Sequence, residues 1–412
     1  MNSGPTANTR LSGRATLTVL LASVAIANMA YTILIPFVPT LSRQFQMGSL
    51  SIGLAFGGFA ATKALMQPVG GWGADRFGAR TTATAGLLIA TGATGLLAVA
   101  ESGSQIVMLR LIWGIGEGLA IPALYQLANI LSRRAGVEPA RALGWFGAAA
   151  VAGMTAGPGL VAIMSGIIDF RAAFLIGAGL TACSAVLIAY SMPRLDEVPS
   201  ADSPRDEEAG EPSAGAAASR APRSALLGVL GFGLADLVNN AIYAALEPVV
   251  PLYAESTLAL EGRTVSIIFF IGLGLFAVVA AFAGGPVAKW GYKGTIAGTF
   301  GVQIAALLVC TWSSSPVAFT LAFWVVMAAQ PLVYVAVRAG VAEIGRTRSG
   351  RAFGWFGLVS DLGWVLGPIA GSTLLPNLGP DLFAAMAGCA VAAVVGALVA
   401  TLAERRREAA KT

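Results

Sequence analysis

Apolar residues in this chain gather into long runs that short polar segments separate. A transmembrane α-helix needs about 20 mostly apolar residues, and twelve runs meet that length. The runs cover approximately residues 15–41, 50–72, 81–100, 105–131, 140–166, 171–192, 224–253, 263–285, 293–312, 316–343, 350–375 and 380–403. The pattern therefore predicts an all-α polytopic membrane protein with twelve transmembrane helices, called spans 1 to 12 below.

One polar stretch is much longer than the others. Residues 193–223 carry seven acidic side chains among Pro, Ser, Ala and Gly, a composition that cannot bury an apolar core. We expect this segment to be a flexible cytoplasmic linker. It divides the chain into an N-terminal six-helix half, residues 1–192, and a C-terminal six-helix half, residues 224–412.

Charge is scarce outside the linker and the loops. Only 11% of the residues are charged, against about 25% in soluble globular proteins. Histidine is absent, which excludes His-ligated metals and His-dependent catalytic triads. The sequence has no clustered nucleophile set and no GxxxxGK[ST] phosphate loop, so we expect neither an enzyme, a metal site nor an ATP-driven pump. Any proton chemistry must use carboxylates.

The basic residues mark one side of the membrane. With a cytoplasmic N-terminus, 20 of the 26 Lys and Arg fall in cytoplasmic segments, three in external loops and three within spans. Cytoplasmic loops accumulate positive charge, so the distribution predicts that both termini are cytoplasmic. The excess of Arg over Lys suggests a bacterial source, and hence the bacterial cytoplasmic (inner) membrane.

The two halves repeat one another. Residues 141–147 recur at 351–357 with six identities in seven, at an offset of 210. The segment 71–80 is matched by 284–293 at an offset of 213. A third pair, at an offset of 212, joins span 1 to span 7: Asn28, Tyr31, Pro36 and Pro39 match Asn240, Tyr243, Pro248 and Pro251. Parallel repeats of this kind are typical of transporters whose substrate site lies between the halves near the midplane.

These motifs resemble those of the major facilitator superfamily over essentially the whole chain. Residues 71–80 are similar to its loop 2–3 signature, and Arg110 with Gly114 and Gly116 is similar to its span-4 motif. The chain looks most like the twelve-span drug:proton antiporters, and its boxes in spans 1 and 7 resemble those of vesicular amine transporters. The resemblance implies the major facilitator fold, with two pseudo-symmetric six-helix halves.

The loop after span 2 is a candidate gating motif, formed by Gly71, Asp75, Arg76, Gly78 and Arg80. Glycine permits sharp turns, so we expect turns at Gly71 and Gly78. Asp75 has two expected places: paired with Arg76 or Arg80, or at a helix N-terminus. The resemblance implies a latch that holds the outward-open state; a plain cytoplasmic turn is the alternative.

Spans 5 and 11 carry a helix motif that resembles one found in proton-coupled exporters. Its residues are Gly144, Gly153, Gly157 and Pro158 in span 5, and Gly363, Gly367 and Pro368 in span 11. Small residues allow helix backbones to approach closely, and proline bends a span. We therefore expect close packing with a kink, which could also bias alternating access.

Seven charged residues lie within spans, where charge is costly and marks candidate functional sites. They are Lys63, Arg110, Glu117, Asp236, Glu247, Arg338 and Asp361. Glu247 is the first choice for a proton or substrate-cation site, because a carboxylate in a low dielectric holds a proton more readily. Pro248 beside it could free backbone carbonyls as ligands. The span-7 glutamate of the amine-transporter box also matches Glu247.

Asp236 is the second choice among the carboxylates. It lies eleven residues before Glu247, about three helical turns, so the two share roughly one face. They could be two stations on a proton path; alternatively, Asp236 is a hydrogen-bonded partner of Asn239 or Asn240.

Lys63 and Asp361 form a possible gate. The implied fold places spans 2 and 11 face to face, so an ion pair between them would break when the halves rock apart. The alternative is that each side chain has a different polar neighbour.

Arg110 and Glu117 are a second acid–base set, two turns apart on span 4. Arg110 could stabilise a cavity carboxylate or bind an anionic substrate group, and the resemblance favours a proton relay. The boxes add Asn28, Tyr31, Asn240 and Tyr243 as candidate substrate or proton ligands.

Together these features favour a proton-coupled antiporter that exports small amphiphilic compounds or drugs by alternating access. A proton symporter or facilitator that imports a small metabolite stays open, as does, more remotely, a membrane protein without transport activity. The expected partners are a lipophilic or cationic small molecule, protons and membrane lipids, but no nucleic acid. We expect a monomer without cofactors, driven by the proton motive force.

Overall fold

The structure is a computed structural model that describes residues 13–192, 223–344 and 349–409. Twelve long helical runs occur in these residues, and they follow the twelve predicted spans in order. The predicted linker, 193–223, lies outside the described residues except for Arg223. The runs are α1 (Gly13–Thr32, continued by Ile35–Phe37 and Val38–Gln44), α2 (Ser49–Phe77), α3 (Ala79–Leu97), α4 (Gly103–Arg134), α5 (Pro139–Met164), α6 (Phe170–Ser191), α7 (Arg223–Ser256), α8 (Gly262–Phe282), α9 (Gly284–Trp312), α10 (Pro316–Ile344), α11 (Ser349–Leu378) and α12 (Asp381–Ala409).

Length and apolarity suit these helices to a membrane. Within the described residues, eight of them are long and apolar enough to cross one, namely α1, α2, α4, α5, α6, α8, α9 and α10. Helices satisfy their own backbone hydrogen bonds, which is what hydrocarbon demands of a spanning segment.

Two glycines break the helices at equivalent points of the repeat. Gly78 has a φ of 89° and separates α2 from α3, while Gly291 has a φ of 70° and interrupts α9. A left-handed backbone suits glycine because it has no Cβ. The predicted turn at Gly71 is wrong: Gly71 lies inside α2, where the apolar run simply continues as helix.

The glycine motifs bring matching pairs of helices together. In the first half, α5 packs on α1, and a Cβ at Gly157 would lie 2.7 Å from the Met29 carbonyl oxygen. In the second half, α11 packs on α7, and a Cβ at Gly367 would lie 2.8 Å from the Cα of Ala241. Gly153 and Gly363 make equivalent contacts, whereas no heavy atom lies within 4 Å of the Cβ position at Gly144. Gly144 therefore takes no part in the predicted close packing.

The halves meet where α1 ends and α2 begins, which we call the outer end because the basic residues predict that it is extracellular. There α2 lies against α11, and a Cβ at Gly53 would be 2.7 Å from the Cα of Ile369. On the other flank, α5 lies against α8 through Gly159 and Phe270. These contacts close the space between the halves at the outer end.

Candidate functional site: a charged cavity between the halves

A cavity of about 340 Å³ lies between the two halves, inward of the closed outer end. Both halves line it, with the residues Asn28, Tyr31, Phe56, Phe59, Ala60, Lys63, Ala64, Gln67, Glu117, Tyr125, Met154, Ala244, Glu247, Tyr334, Asp361, Trp364 and Pro368. Tyr125 and Tyr334, nearer the inner end, are about half exposed. Glu247, in the outer half of α7, is almost completely buried.

Glu247 joins the two halves through one hydrogen bond. The Tyr31 hydroxyl on α1 donates to Oε2 of Glu247 on α7, at 2.8 Å. The other carboxylate oxygen, Oε1, is buried and has no hydrogen-bond partner in the described part of the chain. A buried polar atom in this state calls for an explanation, such as a proton or a ligand group.

Arg110 is fully buried beside Tyr31, within a cage of aromatic rings. Its guanidinium carbon lies 4.4 to 5.4 Å from four ring centroids, those of Tyr31, Phe56, Phe59 and Trp113. Nε donates to the Ala55 carbonyl oxygen at 2.9 Å, while the two terminal nitrogens have no hydrogen-bond partner among the described residues. Cation–π attraction therefore holds a positive charge next to the Tyr31–Glu247 pair.

Lys63 does not pair with Asp361 in this structure. Its Nζ lies 3.1 Å from Oε2 of Glu117 on α4, and Trp113 donates to Oε1 of the same carboxylate at 3.2 Å. Helices α2 and α4 pack closely within one half, which brings this acid nearer to Lys63. Asp361 lines the same cavity and has no ion pair with another described residue.

Asp236 belongs to a separate buried network. Arg338 pairs with it at 3.2 Å, and the Ser360 hydroxyl donates to it at 2.5 Å. Asp236 is not among the residues that line the cavity. In this structure Asp236 thus contacts Arg338 and Ser360 and not the cavity, and the path of two stations, Asp236 and Glu247, stays a prediction.

The remaining box residues divide between the cavity and the helix packing. Asn28 lines the cavity and donates to the Val24 carbonyl oxygen of its own helix at 2.9 Å. Asn240 donates to the Ser360 hydroxyl at 2.9 Å, which binds α7 to α11. The buried ring of Tyr243 packs against Trp364, with centroids 5.2 Å apart. Neither Asn240 nor Tyr243 is a lining residue of the cavity.

The gating motif makes its contacts within the first half. Asp75 lies near the C-terminus of α2, not at a helix N-terminus, and accepts a hydrogen bond from Gln126 of α4 at 3.0 Å. Arg80 donates to the Met192 carbonyl oxygen at 3.3 Å. Both predicted placements of Asp75 are thus wrong in this structure, because α2 extends through Arg76 and the turn at Gly78 directs Arg80 toward the end of α6. Arg76 is exposed.

Known proteins share this arrangement of two helical halves. Residues 20–341 match the family model described as Major Facilitator Superfamily. The chain belongs to this superfamily. It is therefore a multi-pass membrane transporter, and the family implies a small-molecule substrate.

Relatives within the superfamily include drug-resistance proteins. The chain is 23% identical over 361 residues to Multidrug resistance protein 1 of Bacillus subtilis (strain 168), covering 87% of this chain and 89% of that protein. It is 24% identical over 147 residues to the quinolone resistance protein NorA of Staphylococcus aureus, covering 36% and 37% of the two chains.

Solved structures share the fold at lower identity. The nucleoside transporter NupG superposes with a TM-score of 0.73 at 13% identity, covering 95% of this chain and 99% of that chain. A bacterial homologue of the human lysosomal transporter Spinster gives a TM-score of 0.69 at 16% identity, covering 95% and 97%. These likenesses support the major facilitator fold.

Some site residues carry little signal in the sequence. Ser360, whose hydroxyl donates to Asp236, directly precedes Asp361, and its only signal in the sequence is that it is a polar neighbour of a charge within a span. Gln67 is a polar residue one turn beyond Lys63 in an apolar run, which is the same kind of signal. Phe56 and Phe59 look like ordinary apolar residues, and only the fold brings them around Arg110.

Proposed function

We propose that the protein is a proton-coupled antiporter that exports small amphiphilic compounds, with Glu247 as the proton-carrying residue. The observation that carries the proposal is the state of its carboxylate. One oxygen accepts a hydrogen bond from Tyr31 across the interface between the halves, and the other is buried in the cavity wall without a hydrogen-bond partner among the described residues. An intramembrane carboxylate in this position is suited to take up a proton or a cationic group.

In this proposal, the hydrogen bond between Tyr31 and Glu247 couples the proton to the movement of the halves. A ligand shifts a conformational equilibrium only if it binds the two states with different free energies. The Tyr31–Glu247 bond exists when the outer end is closed, and it must break if α1 and α7 separate there. Protonation turns one acceptor oxygen into a donor, so a proton on Glu247 changes the free energy of that contact.

Export of drug-like compounds is supported by two independent features. The relatives include proteins named for multidrug and quinolone resistance. The cavity combines the carboxylates of Glu247 and Asp361 with the aromatic side chains of Tyr31, Phe59 and Trp364. Such a lining suits a molecule with an apolar body and a positive charge.

Transport by Glu247→Gln in proteoliposomes tests the proposal. With an imposed pH gradient and ethidium or tetraphenylphosphonium as the compound, we expect the variant to lose gradient-driven transport at least about tenfold. Each factor of ten corresponds to about 1.4 kcal/mol. Exchange of labelled for unlabelled compound without a gradient should persist, because it needs no net proton movement.

Glu261→Gln is the matched control, since Glu261 is exposed at the start of α8. It should transport like the unmodified protein. Normal gradient-driven transport by Glu247→Gln would remove Glu247 from the proton path. If compound and protons move in the same direction, the protein is an importer of the symporter type.

A further inference from the structure

A second cavity lies inside the N-terminal half, next to the central one. It has a volume of about 190 Å³, and all six helices from α1 to α6 contribute to its wall. Four residues line both cavities, and we call the boundary that they form the neck: Asn28, Lys63, Glu117 and Tyr125. We call the second cavity the side pocket.

Apart from the neck, the side pocket is lined almost entirely by apolar side chains. Four alanines, each on a different helix, leave the space open: Ala27, Ala90, Ala120 and Ala150. Larger apolar groups, including Leu124 and Phe146, form the rest of the wall. A cavity of about 150 Å³ with a comparable lining binds benzene, so the side pocket has room for one aromatic ring.

The corresponding region of the C-terminal half has polar side chains instead. At the offset of 212, Val24 and Ala27 of the side pocket correspond to Asp236 and Asn239. Asp236 forms an ion pair with Arg338 and accepts a hydrogen bond from the Ser360 hydroxyl. Asn239 accepts a bond from Gln303 at 3.1 Å. The repeat therefore carries an apolar pocket in one half and a buried polar network in the other.

The two cavities also differ in the charge of the side chains that line them. Within the described residues, Glu247 and Asp361 lie at the central cavity without an ion-pair partner. The buried Arg110 beside Tyr31 offsets only one of these two negative charges, so we expect the cavity to attract a cation. The charges of Lys63 and Glu117 at the neck offset each other at 3.1 Å. A charged group would lose hydration in the apolar side pocket without compensation, whereas an uncharged ring would not.

Building on the proposed function, we propose that the side pocket binds one uncharged aromatic ring of the substrate while the substrate's cationic group lies in the central cavity. The transported molecule then has two parts, joined by a short link that passes the neck. The pocket in the first half selects the ring, and the carboxylates at the interface select the charge.

Binding to the purified protein, without any gradient, tests the side pocket separately from proton coupling. The probes are benzyltrimethylammonium and tetramethylammonium, which carry the same charge and differ by a ring. We expect the benzyl probe to bind the unmodified protein at least about tenfold more tightly. Ala150→Leu fills the pocket and should remove most of this advantage while leaving tetramethylammonium binding unchanged.

Ala148→Leu is the matched control, because Ala148 is an exposed position on the same helix and does not line the pocket. It should keep the advantage of the benzyl probe. The opposite change, Leu124→Ala, enlarges the pocket and should improve binding of a naphthylmethyl probe relative to the benzyl one. If Ala150→Leu does not fold, Leu124→Ala still tests the side pocket, because an unchanged preference between the naphthylmethyl and benzyl probes would contradict ring binding there.

A spectroscopic measurement adds a direct readout of ring position. Trp113 lines the side pocket, so a nitrobenzyl probe bound there should quench tryptophan fluorescence less in Trp113→Phe than in the unmodified protein. If Ala150→Leu weakens the binding of both ammonium probes equally, the proposal that the side pocket binds the ring is wrong. It is also wrong if the unmodified protein does not bind the benzyl probe more tightly than tetramethylammonium. A ring advantage combined with normal gradient-driven transport by Glu247→Gln would instead overturn only the proton assignment.

Discussion

Four of the seven charges within the helices neutralise one another in pairs. Lys63 pairs with Glu117, and Arg338 pairs with Asp236. Each pair forms within one half, where opposite charges offset part of the cost of leaving water. The carboxylates of Glu247 and Asp361 have no such partner among the described residues, and Arg110 lies within its cage of aromatic rings. In the proposed function, these two carboxylates are the groups that bind a proton or a cation.

The Lys63–Glu117 pair gives a prediction from charge reversal. Lys63→Glu or Glu117→Lys alone puts two like charges side by side at the neck, and transport should fall about tenfold or more. The double variant restores opposite charges and should recover a large part of the activity. The coupling free energy from the four transport rates should be roughly 0.5–3 kcal/mol, the range for residues in contact.

The matched comparison is the pair Lys63→Asp with Asp361→Lys. Because Lys63 contacts Glu117 in this structure, this exchange should not restore transport. Recovery by the second exchange and not by the first would show that the gate between α2 and α11 is the functionally relevant contact.

At the scale of the helices, glycine decides which pairs approach closely. Within each half, equivalent glycines allow α5 to pack on α1 and α11 to pack on α7, so we expect these contacts to persist when the halves move. Between the halves, α2 meets α11 through Gly53 and Gly57 near the outer end. The second kind of contact must separate for the outer end to open.

Gly57→Ala should therefore disfavour the outer-closed arrangement. A Cβ there would overlap the Val365 carbonyl oxygen, so α2 and α11 must move apart while packing within each half is kept. We expect a longer distance between spin labels at Leu50 and Asn377, measured by double electron–electron resonance after replacement of the native cysteines. Gly92→Ala is the control, since no heavy atom lies within 4 Å of that Cβ position. An unchanged distance in Gly57→Ala would contradict this role of the contact.

The sequence predicted the helices well because each leaves a long apolar run, and the repeat predicted which helices are equivalent. The place of Glu247 in the wall of the central cavity was predictable for a similar reason, since a lone carboxylate in an apolar run is conspicuous. The ion-pair partner of Lys63 was not predictable from the sequence. Glu117 and Asp361 lie on different helices and are equally plausible partners until the distances between the helices are known. The side pocket has no signal of its own, since Ala27, Ala90 and Ala150 look like ordinary small residues of packed helices.

At the scale of the whole molecule, the outer end is closed by packing more than by charge. Arg43, at the end of α1, forms an ion pair with Glu255 at the end of α7, and their side chains are 62% and 36% exposed. Exposed pairs contribute only about 0.2–1 kcal/mol. The apolar contacts of α2 with α11 and of α5 with α8 therefore contribute most of the closure.

Arg43→Gln should consequently have a small effect. Loss of about 0.2–1 kcal/mol changes the equilibrium constant between the outer-closed and outer-open conformations about 1.4- to 5-fold. This change is far smaller than the one expected for Gly57→Ala. Initial transport rates at low and high salt measure it, and the difference from the unmodified protein should shrink as salt screens the pair. A loss of transport as large as that of Gly57→Ala would mean that the ion pair is the principal outer gate.

Arg43 and Glu255 are also 212 positions apart, the offset that relates spans 1 and 7, so they occupy equivalent places in the two halves. In a symmetric dimer, residues near the twofold axis contact their own copies. Two copies of the first half would bring Arg against Arg there, and two copies of the second would bring Glu against Glu. The opposite charges at this one repeated position thus disfavour both like-with-like assemblies. Halves produced as separate polypeptides would be steered by it toward the unlike partner.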